Sequence, residues 1–465
     1  MKYTPHSQGE IDAMLRTVGL ESLDQLFSDI PREILDQCKL PNRPGMTEPR
    51  LQAHLRELAA ENLSADDVPC FLGGGCCDAF IPAAVSELLA REEFYTAYTP
   101  YQPELSQGIL QSIFEYQTYI CRLTGLDVAN ASLYDGGSAL ASACSIAAEG
   151  TKKKTILLPE TVHPDYARIV KTYASSGAMD IETIPAKNGV TDPDALRDAL
   201  SRRADQVAAV VIPQPNYYGC LEPVAEIIAL VRQASSALII AQVDPVSLAL
   251  LKSPGEYGAD IAVGDAQPLG NPMSYGGPHI GFMAVTQKLM RKIPGRLVGE
   301  TTDADGNRAF VLTLQAREQH IRREKANSNI CSNEALNALA VSIYLTIVGP
   351  RGFRQAAERS HRLALYAREQ FELRGMPLLY NRPFFREFAL ESDAPEEWIE
   401  ATIDLWHKRY IGEDNALNAK ELTSPDTTCG IPVDGGVLLA FTEKRTPEEI
   451  DQLVDVMDDA REAIQ

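Results

Sequence analysis

The chain has 465 residues, enough to bury a large core and to form two or more domains. Hydrophobic residues at 45% and charged residues at 23% are ordinary for a soluble globular protein, and a net charge of −21 argues against a nucleic-acid partner, whose phosphates need clustered Lys and Arg. No continuous apolar run reads as long enough to span a bilayer, and the N-terminal "MKYTPHSQGEIDAMLRTVG" lacks the apolar core of a signal peptide, so a cytoplasmic protein without a membrane partner is expected. Nine cysteines without C-x-x-C spacing read as reduced thiols, with no metal site.

Residues 8–65 read as helices, opened by a capping-box pattern from Ser7 to Glu10. "FLGGGCCDAFIP" follows. Its Gly73–Gly75 run lacks the spacing of a dinucleotide or P-loop fingerprint and reads as a tight turn with close backbone approach, while Cys76 and Cys77 read as small apolar neighbours. In "AYTPYQPELSQG", Pro100 and Pro103 stiffen a segment that presents Tyr98, Thr99, Tyr101, Gln102 and Glu104. Such a loop suits a binding wall or a subunit contact, or is plain surface packing.

A helix opens after "NASLYDGGSALASA". The N–H groups of Gly136, Gly137 and Ser138 are suited to cradling a phosphate, but Asp135 would cap the helix itself and repel a dianion. Downstream, "KKTILLPE", "DIETIPA", "VAAVVIPQP", "ALIIAQVDP" and "ADIAVGD" read as strands, separated by the helical "HPDYARIVKTYASSG", "DPDALRDALSRRA" and "EPVAEIIALVRQA". The alternation predicts βαβ units and a mainly parallel sheet. Asp244 closes one of these strands, where ligands of open α/β sheets bind. It has two readings, a partner for the pyridinium nitrogen of pyridoxal phosphate (PLP) or a turn opener before Pro245.

The next strand runs into "GDAQPLGNPMSYGGPHIGFMA", a Gly/Pro-rich loop. A PLP enzyme of this layout would carry its Schiff-base Lys there, yet no Lys occurs from 253 to 287. Gly270, Gly276 and Gly277 in that loop call for a structural reason, close packing. "QAREQHIRREKANSNICSNEAL" places Arg317, His320, Arg322, Arg323 and Lys325 close together, either as a solvated face or as a carboxylate- or phosphate-binding cluster. From residue 331 the helices "SNEALNALAVSIYLTIVG" and "GFRQAAERSHRLALYAREQFELRG", the strands "FREFALE" and "GGVLLAFTE", and the helices "APEEWIEATIDLWHKRYIG" and "TPEEIDQLVDVMDDAREAIQ" read as a smaller α+β domain. The expected organisation is a helical segment 1–65, a large α/β domain 66–330 and a small α+β domain 331–465.

"YTPYQPELSQGILQSIFEYQT", "GLDVANASLYDGGSA", "VGDAQPLGNPMSYGGPHIGFMA" and "KIPGRLVGETTDADGNRAFVLTLQAREQHIRREKANSNIC", with the spacing between them, resemble the P-protein of the glycine cleavage system over roughly residues 1–450. They resemble in particular the chains that correspond to its N-terminal half. The resemblance implies the α/β fold type I of PLP-dependent transferases, with a mainly parallel seven-stranded sheet and a smaller C-terminal domain. It also implies an oxidoreductase subunit of glycine catabolism that is inactive alone and binds no PLP covalently. The partners it implies are a PLP-bearing glycine decarboxylase subunit 2 in an α2β2 heterotetramer, the substrate glycine, and the lipoylated H-protein that receives the aminomethyl group.

By the same resemblance Tyr98, Thr99, Tyr101, Gln102 and Glu104 would wall the partner's pocket. Arg317, His320 and Arg322 would line the substrate or lipoyl channel, and Asp135, Ser138 and Asp244 would mark a vestigial cofactor site. One departure stands out: where the family has Asp-His-Tyr after the glycine run, this chain has Asp78, Ala79 and Phe80. Two alternatives are a self-sufficient PLP enzyme using Lys288 or Lys325, and a scaffold of the same fold without catalysis.

Overall fold

A computed structural model of the chain describes residues 5–38, 45–60, 62, 64–66, 68–326, 328–411 and 429–464. Gly412 and Gln465, the ends of two expected helices, lie outside them. The chain divides into two compact units after Asn62. The first holds helices α1 (Gln8–Thr17), α2 (Arg32–Gln37) and α3 (Glu48–Ala59), of whose residues only Leu15 is buried. The Ser7 capping box forms: the Glu10 carboxylate accepts from Ser7 N at 2.7 Å, and Ser7 Oγ accepts from Glu10 N.

In the second unit α4 (Ala83–Leu89), α5 (Glu92–Tyr95) and α6 (Gln107–Thr124) lead into β1 (Val128–Ala129) and α7 (Gly136–Thr151). Then come β2 (Thr155–Pro159), α8 (Pro164–Ala174), β3 (Asp180–Ile184), β4 (Ala186–Lys187), β5 (Val190–Thr191), α9 (Pro193–Arg203), β6 (Val207–Gln214), α10 (Val224–Ala234), β7 (Leu238–Val243), β8 (Ile261–Asp265) and β9 (Gly281–Val285). A hairpin of β10 (Leu297–Thr302) and β11 (Arg308–Thr313) precedes the short α11 (Gln319–Arg322) and the long α12 (Ala335–Leu373). The chain ends with β12 (Glu387–Glu391), α13 (Pro395–Trp406), β13 (Ile431–Val433), β14 (Gly436–Ala440) and α14 (Pro447–Ile464).

The main sheet has seven strands in the order β1-β9-β8-β7-β6-β2-β3. β3, β2, β6, β7 and β8 run parallel, and β9 is antiparallel to both of its neighbours. Every residue of β2 and β8 is buried, as continuous apolar strands covered on both faces must be. Leu157, Val210, Ile212 and Ile239 point to one face, with α6, α9, α10 and α12; Ile156, Leu158, Val211 and Ile240 point to the other, with α7 and α8. Each such side chain removed from water contributes roughly 1.5–3 kcal/mol.

One expectation changes, and two features were unforeseen. The composition suggested no span-length apolar helix, yet α12 is long and apolar enough by that measure. It is broken at Gly349, where φ is +59°, ahead of Pro350, and Ala338, Ala340, Val341 and Tyr344 of its first half pack in the sheet core. Its second half joins the core under the small sheet, ordered β12-β14-β13, in which the third strand, β13, had no expectation behind it. The β10–β11 hairpin was also unforeseen, because "GETTDADGNRAF" carries too few apolar residues for a strand signal.

Candidate active-site remnant and exposed aromatic face

The carboxyl ends of the parallel strands open onto one cavity. His163 reaches it from the turn after β2, Pro215–Gly219 from the turn after β6, Asp244 and Pro245 after β7, and Asp265 and Pro268 after β8. Gly74 and Gly75 roof it, and Phe385, Arg386 and Glu387 enter from the small sheet. Crossover connections put loops of different strands side by side here, so this is where an open α/β fold places a ligand.

At one end α7 begins, and carboxylates have taken two of its free N–H groups, those of Gly136 and Ser138. Asp135 accepts from Ser138 N at 2.8 Å, while Asp135 N donates to Ser138 Oγ at 3.2 Å, which closes a reciprocal cap. Asp265 takes the next donor, Gly136 N, at 3.1 Å and also accepts from Gln267 N at 2.9 Å. A Cβ at Gly136 would lie 2.4 Å from the Tyr166 hydroxyl, so the glycine lets that ring press against the helix start. Burial pushes the Asp265 carboxyl up to about 6, against the opposing pull of His279, whose Nδ1 is 3.7 Å away. The other ring nitrogen of His279 lies 3.6 Å from Cys76 Sγ and 3.3 Å from Met273 O. Burial together with the nearby Asp265 drives the Cys76 thiol up to about 12.

At the other end Asp244 makes the bond of a turn opener and an ion pair besides. One oxygen accepts from Val246 N at 2.9 Å as a turn cap, and the other meets Arg386 Nη2 at 2.9 Å. The guanidinium is 3% exposed. Glu387 beside it accepts from Gly74 N and from the Cys77 thiol, and burial raises its pKa. Behind the post-β6 turn the buried Glu222 accepts from Thr161 Oγ1, Thr191 N and Asn216 Nδ2 at 2.7–2.8 Å. Asn216 Oδ1 in turn accepts from Tyr218 N and Cys220 N, which fixes that wall.

These residues do not fit PLP. Two carboxylates occupy the helix start that a phosphate dianion would need, and Arg386 already holds Asp244. The loop after β8 offers Gln267, bonded to Cys77 N, Cys77 O and Asn271 O, and no Lys. Lys288 and Lys325 are exposed and do not line the cavity. The cavity offers about 70 Å³ of water-accessible space.

In the loop itself, close packing explains one of the three glycines. A Cβ at Gly270 (φ +94°) would come within 2.8 Å of Tyr344 Cβ on α12. Gly276 meets nothing within 4 Å and Gly277 only its neighbour His279, so their positive φ values of +103° and +139° are what require glycine.

Of the remaining expected residues, Tyr98, Tyr101, Gln102, Glu104, His320 and Arg322 are exposed, and the Tyr101 and His320 rings meet. Tyr101 is 53% exposed; its hydroxyl accepts from Arg296 Nη2 at 3.2 Å, and its ring meets His320 edge-on at 6.2 Å between centroids. The Arg296 guanidinium also lies over the Tyr101 ring, 5.5 Å from its centroid. Tyr98 is 77% exposed and touches Ser332 Oγ at 3.1 Å. Gln102, Glu104 and Arg322 are exposed, and Thr99 is half-buried, its carbonyl accepting from Tyr101 N. Arg317 faces inward: its Nη1 donates to Ile293 O and its Nη2 to Gly295 O at 2.7 Å, and burial lowers its pKa. It braces the turn before β10.

Reading the sequence missed Arg386, Glu387, Asp265, His279 and Tyr166. It also missed the job of Asp78, which Lys444 Nζ and Arg445 Nη2 clamp at 2.6 and 2.9 Å. That clamp ties the glycine run to the small sheet, which Gly73 approaches so closely that a Cβ would lie 2.8 Å from Ala440 Cβ. In place of the family's His and Tyr, Ala79 is buried and Phe80 exposed, with Phe80 N donating to Glu443. The only available signal was an Asp ending β8, and Asp244 competed for the same attention.

Comparison with known proteins agrees with this geometry. The family model for the glycine cleavage system P-protein matches residues 1–457. A probable glycine dehydrogenase (decarboxylating) subunit 1 of Syntrophomonas wolfei is 53% identical over 453 residues, covering 97% of this chain and 98% of that one. The protein of the same description from Carboxydothermus hydrogenoformans is 50% identical over 458 residues, covering 98% and 99%. A crystal structure of glycine decarboxylase (P-protein) of the glycine cleavage system, in inhibitor-bound form, superposes with a TM-score of 0.84 at 40% identity, over 99% of this chain and 100% of that one. The sphingosine-1-phosphate lyase of Burkholderia pseudomallei shares the fold alone, at a TM-score of 0.62 and 17% identity over 91% and 92%. The fold is that of PLP-dependent fold type I enzymes, and the chain belongs to the glycine cleavage system P-protein family.

Proposed function

We propose that the chain is the non-PLP-anchoring subunit of a heteromeric glycine decarboxylase, cytoplasmic and assembled as α2β2 with a PLP-bearing second subunit. The complex decarboxylates glycine and passes the aminomethyl group to the lipoyl arm of H-protein; this chain alone is inactive. One observation carries the reading: the position of a cofactor pocket is kept by the fold, while its phosphate donors are closed by Asp135 and Asp265 and its loop holds no Lys. Asp135, Ser138 and Asp244 are remnants that now hold the chain's own structure.

The exposed aromatic face is the working surface in this reading. Tyr98, Thr99, Tyr101, Gln102 and Glu104 wall the partner's pocket, where aromatic rings exclude water and polar groups orient the substrate. Arg322 supplies positive charge to the channel for the substrate carboxylate or lipoyl arm, with His320 beside it and Arg317 holding the turn. Co-expression with a second subunit tests this. A co-purifying pair that catalyses glycine–bicarbonate exchange and loses it in Tyr101→Ala supports the reading; unchanged turnover in both Tyr101→Ala and Arg317→Ala removes these residues from the site.

A further inference from the structure

Three arginines are buried among the described residues, Arg296 at 6% exposure and Arg386 and Arg445 at 3%. Two of them have carboxylates: Arg386 meets Asp244 at 2.9 Å, and Arg445 meets Asp78 at 2.9 Å and Glu449 at 3.7 Å. Arg296 has no carboxylate within 4.0 Å among the described residues. Its side chain makes one hydrogen bond, from Nη2 to the neutral Tyr101 hydroxyl at 3.2 Å, and Nε has no partner. Glu318, the buried acid of the neighbouring segment, meets His320 Nδ1 at 3.8 Å instead.

A buried guanidinium without an anion is costly, and folded proteins seldom leave one so. This chain nevertheless fixes it in place. Ala131 N donates to Arg296 O at 3.0 Å, Asn130 Nδ2 to Pro294 O at 2.9 Å, and Arg317 Nη2 to Gly295 O at 2.7 Å, so the turn that presents Arg296 is held by three separate bonds. The charge is therefore preorganised, and it lies beside Tyr101, whose ring is 53% exposed. The missing anion has to come from outside the chain.

Two carboxylates can reach that face, one on the substrate and one on a second subunit. A substrate visits only during turnover and would leave the charge uncompensated for the rest of the cycle. A protein carboxylate is permanent. We infer that Arg296 anchors an ion pair across the subunit boundary, its partner an Asp or Glu side chain of the second subunit. The inference rests on the heteromeric reading above and adds the chemistry of recognition: a surface that brings no carboxylate to Tyr101 would bury Arg296 unpaired and be rejected.

Titration calorimetry of the full-length chain with a purified PLP-bearing second subunit, together with glycine–bicarbonate exchange by the pair, is the test. Arg296→Met should weaken association about thirtyfold or more. Arg296→Lys, which keeps the charge, should lose clearly less; equal losses would make packing the cause and overturn the inference. An Arg296→Met chain that associates as wild type does would overturn it too, and a raised KM for glycine in that pair would assign the anion to the substrate. If neither variant folds, a crystal structure of the unmodified pair decides. An Asp or Glu of the second subunit within about 4 Å of the guanidinium is expected, and only water, substrate or neutral groups there would overturn the inference. A wild-type chain that binds no second subunit removes the heteromeric reading and this inference together, whereas a wild-type pair matched in affinity by its Arg296→Met form removes the inference alone.

Discussion

The cavity at the strand ends and the Tyr98–Tyr101–His320 face differ in where their polar groups find partners. In the cavity, carboxylates, backbone N–H groups and a guanidinium from elements far apart in sequence meet one another, and little but Arg386 is left over. On the outer face Tyr98, Tyr101, Gln102, Glu104 and Arg322 are exposed to solvent. A pocket that has turned its donors inward is a poor place to hold a phosphate. A stiff aromatic loop that has not done so is what a second surface can complete. The difference separates residues that hold this chain together from residues that matter only to an assembly, and substitutions should divide along the same line.

The largest effect belongs to the inner region. Asp78→Ala takes the carboxylate from Lys444 and leaves Arg445, 3% exposed, with only Glu449 at 3.7 Å, and should cost about 3 kcal/mol or more in urea unfolding of the lone chain. Next comes Asp265. Burial raises its pKa from 3.8 to about 6, so the folded chain binds this proton more tightly than the unfolded one. Its destabilisation is full above pH 6, shrinks as the pH falls, and is gone below the ordinary aspartate value; it amounts to at most about 3 kcal/mol. Wild type should therefore gain stability relative to Asp265→Asn as the pH is lowered from 6 to 4, and parallel pH profiles of the two would remove this assignment.

Gly270→Ala introduces a Cβ against Tyr344 at a positive φ and should lower stability by about 1–3 kcal/mol, read as a melting-temperature shift. The smallest effect on stability, and the sharpest for the comparison, is Tyr98→Ala. The lone chain should change by less than about 0.5 kcal/mol, while affinity for the second subunit or turnover of the pair falls about tenfold. A Tyr98→Ala chain that unfolds early but assembles normally would erase the distinction between the two regions.

Much of the fold was legible because its strands are buried on both faces. "TILLP" and "VAAVVIPQ" read as strands from composition alone, and the helices between them carry their own caps at His163 and Asp192. The β10–β11 hairpin was not legible because half of it is solvated and polar. The site was legible only where chemistry is local: Asp135 capping its own helix, or the missing Lys. Asp78 finds its partners more than 360 residues further along the chain, and Arg386 meets Asp244 only because a small-sheet strand crosses the end of β7. Nothing in the runs "CCDAF" or "FREFALE" carries that information, since ion pairs between distant segments leave no periodic trace.

The central claim is that this chain keeps the fold of a PLP enzyme without holding the cofactor. Bound PLP should be measured after alkaline release, together with the visible absorption spectrum, for the chain purified alone and for the chain co-purified with a second subunit. A colourless lone chain with negligible PLP, and a coloured pair in which all the cofactor is attached to the second subunit's peptides, is the expected result. Stoichiometric PLP on the lone chain, fixed by borohydride to one of its own lysines, would contradict it.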